Sequence, residues 1–321
     1  MKLGILGTGM IVKDFLTTVH KLPFRGLAIL GTSQTEDETR ELAERYQIGD
    51  IFFDYQTMLD SDVDTIYVAL PNHLHFQFAS QALQKGKHVI IEKPITTSVD
   101  ELEALKILAA DKKLIMLEAM NIHALPAYLS LQSQLDSIGN IKLVTLNYSQ
   151  YSSRYNDFLA GIIHPAFDAK KGGGALMDIN IYNLHFIAGL FGEPKSVNYF
   201  ANMQSNIDTS GMMVLDYGDF KCVCIGAKDC NAPTTSLIQG DKGHMHITLP
   251  VNQMNGYKVS LNNSGSAQFT YDPHEHRLLY EFQAFIRIIE MLDYQAAARL
   301  LEVSTIAARM IERGKKQLIM E

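Results

Sequence analysis

Over residues 1–118, short apolar runs rich in β-branched residues alternate with stretches of helical spacing. The runs are Lys2–Leu6, Leu27–Leu30, Thr65–Leu70, His88–Ile91 and Leu114–Leu117, with amphipathic segments at Glu36–Tyr46, Phe76–Lys85 and Val99–Asp111. Strands separated by helical crossovers make βαβ units and therefore a parallel sheet. The runs are apolar almost throughout, as strands covered on both faces require. Ser98 followed three residues later by Glu101 has the form of a capping box and marks a helix start.

Beyond about residue 118 the period changes. A helical stretch near Ala124–Leu135 leads to a strand near Ile141–Ser149, a polar loop, Gly172-Gly173-Gly174 and an apolar helix over Met177–Phe191. From Ser196 to Tyr271 the pattern is of strands joined by turns, including Tyr217-Gly218-Asp219, Gly240-Asp241-Lys242-Gly243 and Asn262-Asn263-Ser264-Gly265. Helical segments near His276–Leu292 and Tyr294–Lys315 close the chain. The expected class is α/β. A doubly wound parallel sheet occupies residues 1–118, and residues 119–321 form an α+β domain with a largely antiparallel, open sheet.

The 321 residues suffice for two domains at roughly 100–200 residues each. Lys and Arg number 28 against 35 Asp and Glu, a formal net charge of -7. That balance offers no general attraction to nucleic acid or to an anionic membrane. No apolar run reaches the roughly 18–20 residues needed to span a bilayer, and the glycine-broken start reads as a first strand rather than a signal peptide. The three cysteines, Cys222, Cys224 and Cys230, give no disulfide framework and no usual zinc spacing, which suits a reducing cytoplasm. His244 and His246 would share a strand face, but no third ligand accompanies them, so no metal site is expected.

Gly7-Thr8-Gly9 follows the first strand and opens the first helix. Glycines there permit a tight turn and close approach of a pyrophosphate to backbone N–H groups, the arrangement of a Rossmann dinucleotide site. Val12 stands at the third fingerprint position, where Gly or Ala is usual. The second strand ends in Gly31-Thr32-Ser33-Gln34-Thr35, with neither the acid that favours NAD nor the Arg that favours NADP. Its hydroxyls suit either cofactor, and without a carboxylate to repel a 2′-phosphate the balance tips to NADP. Asp178, Tyr182 and His185 follow at spacings of four and three, so they are expected to share one helix face. Asp178 also stands where a helix cap would, and Tyr182 and His185 also fit ordinary packed positions.

The segments Ala69-Leu70-Pro71-Asn72-His73-Leu74-His75 and Gly86-Lys87-His88-Val89-Ile90-Ile91-Glu92-Lys93-Pro94 resemble the Gfo/Idh/MocA family of oxidoreductases. The likeness recurs at Glu118-Ala119 and at Gly173-Gly174-Ala175-Leu176-Met177-Asp178. It implies that Lys93 lies near the nicotinamide and hydrogen-bonds the reacting oxygen, and that Asp178 opens the substrate-domain helix. Many members have a histidine where this chain has Tyr182; the tyrosine is similar to the branch containing glucose–fructose oxidoreductase and dimeric dihydrodiol dehydrogenase. His185 stands where many members have Asp.

The function expected is hydride transfer between NAD(P) and a small sugar, polyol or related carbonyl. Charge developing on the oxygen needs a cation and a proton, supplied by Lys93 and Tyr182, with Asp178 orienting. Cofactor contacts are expected from Gly7, Gly9, Met10, Ile11, Thr32, Ser33, Leu70, Pro71, Asn72, His75, Glu92 and Lys93. Substrate contacts are expected from Lys93, Asp178, Tyr182, His185 and His164, with Arg154, Tyr155 and Asn156 as solvated loop positions. The resemblance further implies a homodimer or homotetramer, and the cysteine usage a cytoplasmic setting. Two other readings are a redox-neutral lyase or hydrolase with bound NAD, and a nonenzymatic dinucleotide-binding regulator.

Overall fold

The computed structural model describes residues 1–272 and 274–318. Two compact units are present among the described residues, 1–120 with 278–302, and 121–277 with 303–318.

The first unit carries β1 (Lys2–Leu6), α1 (Met10–Leu16), β2 (Gly26–Leu30), α2 (Glu36–Arg45), β3 (Asp50–Phe52), α3 (Tyr55–Leu59), β4 (Thr65–Val68), α4 (His75–Gln84), β5 (His88–Glu92), α5 (Val99–Asp111) and β6 (Met116–Ala119). Its six strands run in the order β3-β2-β1-β4-β5-β6, every pair parallel. This is the doubly wound order, which places loops after the first and fourth strands side by side. Strand β3 was not expected: three partly buried residues are too few for a periodic signal. The last strand starts two residues late because Lys113 takes a φ of 54° and Leu114 closes the preceding helix by bonding Ala109. At α5 the Ser98 hydroxyl accepts the Glu101 N–H at 3.3 Å, while the Glu101 carboxylate reaches back to Thr97 rather than to Ser98.

The second unit carries α6 (Pro126–Gln134), β7 (Ile141–Ser149), α7 (Tyr155–Leu159), α8 (Ile181–Phe191), β8 (Ser196–Gln204), β9 (Ile207–Asp216), β10 (Lys221–Ala227), β11 (Thr235–Gly240), β12 (Gly243–Ile247), β13 (Gly256–Leu261) and β14 (Gly265–Thr270). Its eight-stranded sheet has the order β14-β13-β12-β11-β7-β10-β9-β8, antiparallel except where β7 meets β10. Along the first half of β8 buried and exposed positions alternate, and along most of β10 buried positions alternate with more accessible ones, so one face is covered and the other more open.

The expected boundary needs one correction. Helix α9 (Arg277–Glu290), placed by the sequence pattern in the second domain, belongs from Leu278 to the first unit, as do residues 294–302 of α10 (Tyr294–Leu318). The cause is the apolar face of α9. Phe282 is fully buried, with ring centroids 4.0 Å from Phe15 and 5.2 Å from Tyr67, and Leu278, Phe285 and Ile289 share that core. The N-terminal amine ties to Glu290 at 2.7 Å.

Candidate active site

In the first unit the glycine turn is built as its residues require. Gly7 has a φ of 99°, open to glycine and costly for other residues, and a side chain there would meet the Ala69 carbonyl at 3.0 Å. At Gly9 a side chain would meet nothing within 4 Å, so the turn faces open space, as a phosphate cradle needs. Met10 beside it is 72% exposed, Ile11 is partly buried, and Val12 is wholly buried in the core. Thr32 and Ser33 are exposed, and the Thr35 hydroxyl accepts the Thr32 N–H at 2.9 Å.

A carboxylate overlooked in the sequence stands at this turn. Glu38, in the first turn of α2, accepts from the Thr8 hydroxyl at 2.6 Å and pairs with Lys13 at 2.5 Å. Lys13 and then Thr8 hold its carboxyl below the usual range. The usual acid stands at the strand tip, whereas this one reaches Thr8, between the two glycines, from the following helix.

The turn after β5 is fixed residue by residue. The Tyr67 hydroxyl, held between Phe15 and Phe282, donates to Glu92; the other Glu92 oxygen accepts the Lys93 N–H at 3.3 Å. Glu118 accepts the Ile95 N–H at 2.9 Å. His75 is fully buried, one ring nitrogen 2.9 Å from the Pro94 carbonyl and the other 2.8 Å from that of Leu70. Burial lowers its pKa, so the neutral ring is favoured and donates to one carbonyl of the two. His75 and Glu92 were expected among the cofactor contacts. The structure buries both, and their hydrogen bonds fasten the loops that carry Leu70, Pro71, Asn72 and Lys93. Lys93 is partly exposed, and the Lys93–Pro94 peptide bond is cis.

In the second unit Asp178 does not cap a helix. It lies within a π-helical turn, Leu176–Asn180, that runs into α8. Its carboxylate pairs with Lys228 at 2.8 Å, a lysine whose side chain is 2% exposed. Gly174, at a φ of 108°, lets Asp208 close in, and that buried carboxylate accepts the Leu176 N–H and the Tyr199 hydroxyl, both at 2.7 Å. Lys228 was missed, although period two from buried Cys222 and Cys224 puts residue 228 on the inward face.

The wider π turn breaks the single polar stripe expected for Asp178, Tyr182 and His185. Tyr182 is partly buried with its ring 6.0 Å from that of Tyr148. His185 is 1% exposed, its Nδ1 3.4 Å from Nε2 of His123, and burial draws both histidines down to about 3. His185, expected among the substrate contacts, is thus a buried ring whose neutral form burial favours. His164 pairs with Asp157 at 2.7 Å beside a cluster of Tyr155, Phe158, Phe167 and Ile207; Asn156 accepts from the Tyr151 hydroxyl. Among the described residues no group of three His, Cys, Asp or Glu is arranged to hold a metal, and no helix is long and apolar enough to cross a membrane.

Comparison with known proteins follows the same division. Residues 1–119 match an oxidoreductase family with an NAD-binding Rossmann fold, and residues 133–246 match the Gfo/Idh/MocA C-terminal domain. The scyllo-inositol 2-dehydrogenase (NADP(+)) IolU of Bacillus subtilis is 29% identical over 322 residues, covering 99% of this chain and 97% of that one. Trans-1,2-dihydrobenzene-1,2-diol dehydrogenase of Bos taurus is 25% identical over 262 residues, covering 78% and 75%. The 3-ketoreductase KijD10 of Actinomadura kijaniata, in a crystal structure with NADP and TDP-benzene, shares the fold at a TM-score of 0.84 and 21% identity, over 98% of this chain and 97% of the other. With the glycine cradle, the fastened lysine turn and both domain matches in place, this chain belongs to the Gfo/Idh/MocA family of NAD(P)-dependent oxidoreductases.

Proposed function

We propose that the protein is a dehydrogenase or reductase for a small polyol, cyclitol or sugar, with NADP as the preferred cofactor. The observation that carries this reading is the Lys93 turn, where Tyr67, Glu92, Glu118 and His75 fasten a partly exposed cation at the end of β5. So much buried hydrogen bonding around one loop is the support expected of a group that must act in one position. Gly7 and Gly9 would hold the pyrophosphate, and Thr32 and Ser33 the adenosine ribose or its 2′-phosphate. The nearby carboxylate, Glu38, is engaged by Thr8 and Lys13, and the lysine offsets the charge that would oppose a 2′-phosphate. The bound nicotinamide supplies the hydride acceptor or donor. Lys93 donates a hydrogen bond to the reacting oxygen and stabilises its negative charge. Tyr182 takes or returns the hydroxyl proton, and Asp178 orients a second substrate hydroxyl.

A second copy of the chain is the proposed occupant of the open sheet face. Ile225 on β10 is in register with Met212 on β9, and Met212 with Phe200 on β8. Phe200 is 61% exposed and Met212 47%, an apolar surface of the kind that marks an interface. A cytoplasmic setting is supported by three free cysteines.

The test follows the intrinsic fluorescence of reduced nicotinamide during titration with NADPH and NADH; the chain has no Trp. Saturable binding, tighter for NADPH, is expected, and Tyr182→Phe should leave it unchanged while lowering cyclitol turnover about 10²–10⁴-fold. Folded protein that binds neither nucleotide would refute the reading, and wild-type turnover by Tyr182→Phe would remove that residue from the mechanism.

A further inference from the structure

We infer that Lys228 is a positioning residue for the reaction: its buried ammonium sets the carboxylate of Asp178 in place. The inference rests on the proposed contact between Asp178 and substrate.

A lysine is almost never fully buried unless paired. The Lys228 ammonium meets the Asp178 carboxylate at 2.8 Å, the Ala166 carbonyl, and the face of Phe167, whose centroid is 4.2 Å away. Its own backbone is locked in the sheet, the N–H donating to Thr209 and the carbonyl accepting from Ser152, both at 2.8 Å. The cation is therefore fixed from the strand side and joins the Ala166–Phe167 turn to the π-helical turn that bears Asp178. Asp208 holds that turn from its other flank through the Leu176 N–H.

Stability alone is a weak reason for this arrangement, because well-packed apolar residues often match or exceed a buried ion pair. The asymmetry of the pair points to function. Lys228 is closed to solvent at 2% exposure, while Asp178 keeps 32%. The ammonium thus lies on the interior side of a carboxylate that is partly accessible from outside. An oriented acceptor of this kind suits a substrate hydroxyl, and the direction of the carboxylate depends on the cation behind it.

The test is a double-mutant cycle in the full chain, assayed with scyllo-inositol and NADP+ and checked by NADPH titration. Lys228→Met should lower kcat/KM about ten- to a hundredfold with NADPH affinity unchanged, and Lys228→Arg should recover part of the loss. In the Asp178→Asn background Lys228→Met should cost little more, since both changes disable one unit. Losses that multiply across the cycle, or wild-type turnover by Lys228→Met, would overturn the inference. Should Lys228→Met alone fail to fold, the doubly neutral variant decides: equality with Asp178→Asn supports the role, and a further tenfold loss overturns it. Wild-type turnover by Asp178→Asn, or an inert parent enzyme toward every cyclitol and sugar tried, would instead overturn the underlying reading.

Discussion

The pair His123 and His185 makes a quantitative prediction about acid stability. Both rings titrate at about 3, chiefly through burial, with the neighbouring ring a second cause for His123. In the unfolded chain each would titrate near 6.5. A depressed folded pKa means that the unfolded state takes up protons which the folded state refuses. Stability is then complete above about pH 7 and falls as the pH drops through 6.5 toward 3. At about pH 5 each ring is about 1.5 units below its unfolded pKa, at 1.36 kcal/mol per unit, so the pair costs about 4 kcal/mol. That is a large share of the roughly 5–15 kcal/mol that hold a domain together. Urea unfolding at about pH 7.5 and pH 5 should show this loss in the parent protein. A His123→Gln/His185→Gln variant, which cannot titrate there, should lose about 4 kcal/mol less between the same two pH values. An equal loss in both proteins would refute the placement of His185 as a buried neutral ring and return it to the candidates for catalysis.

Four further outcomes follow from packing. Gly7→Ala should abolish NADPH binding and lower stability, because its φ of 99° and the Ala69 carbonyl leave no room for a methyl. Gly9→Ala should fold normally yet weaken NADPH in a fluorescence titration, and unchanged affinity would move the pyrophosphate away from this turn. Phe282→Ala should cost about 3–5 kcal/mol in thermal denaturation, since its buried ring packs on Phe15 and Tyr67; a loss below about 1 kcal/mol would mean that α9 is not integral to the first unit. Met212→Asp with Phe200→Asp should halve or further reduce the mass seen by light scattering, and an unchanged mass would rule out the open sheet face as the interface.

Much of the fold was legible because the period of the hydrophobic pattern changes where the architecture does. The β-branched runs gave β1, β2, β4 and β5 almost residue for residue, and the turn glycines marked the hairpins of the second sheet. Two things escaped for physical reasons. The six-strand sheet needs β3, whose three residues cannot display a period, and α9 reads as a sound amphipathic helix wherever it docks. Nothing in its own residues says that Phe282 meets Phe15, 267 positions earlier by subtraction of the two numbers.

The site divides in the same way. Candidate residues set by local backbone geometry, such as Gly7 and the turn around Lys93, announce themselves in sequence. Those that act through a partner far along the chain do not: Glu38 reaches Thr8, and Lys228 reaches Asp178, only after folding. The helical arithmetic for Asp178, Tyr182 and His185 assumed a regular α-helix, and the π turn at Leu176–Asn180 removed that assumption.

The central claim is net hydride transfer, and the most direct measurement is the near-ultraviolet absorbance of reduced nicotinamide when enzyme, NADP+ and scyllo-inositol or related polyols are mixed. Stoichiometric growth of NADPH with oxidised polyol, lost in Lys93→Met and Tyr182→Phe, is the predicted result. Conversion of a substrate with no net change in nicotinamide would contradict it and identify a redox-neutral enzyme instead.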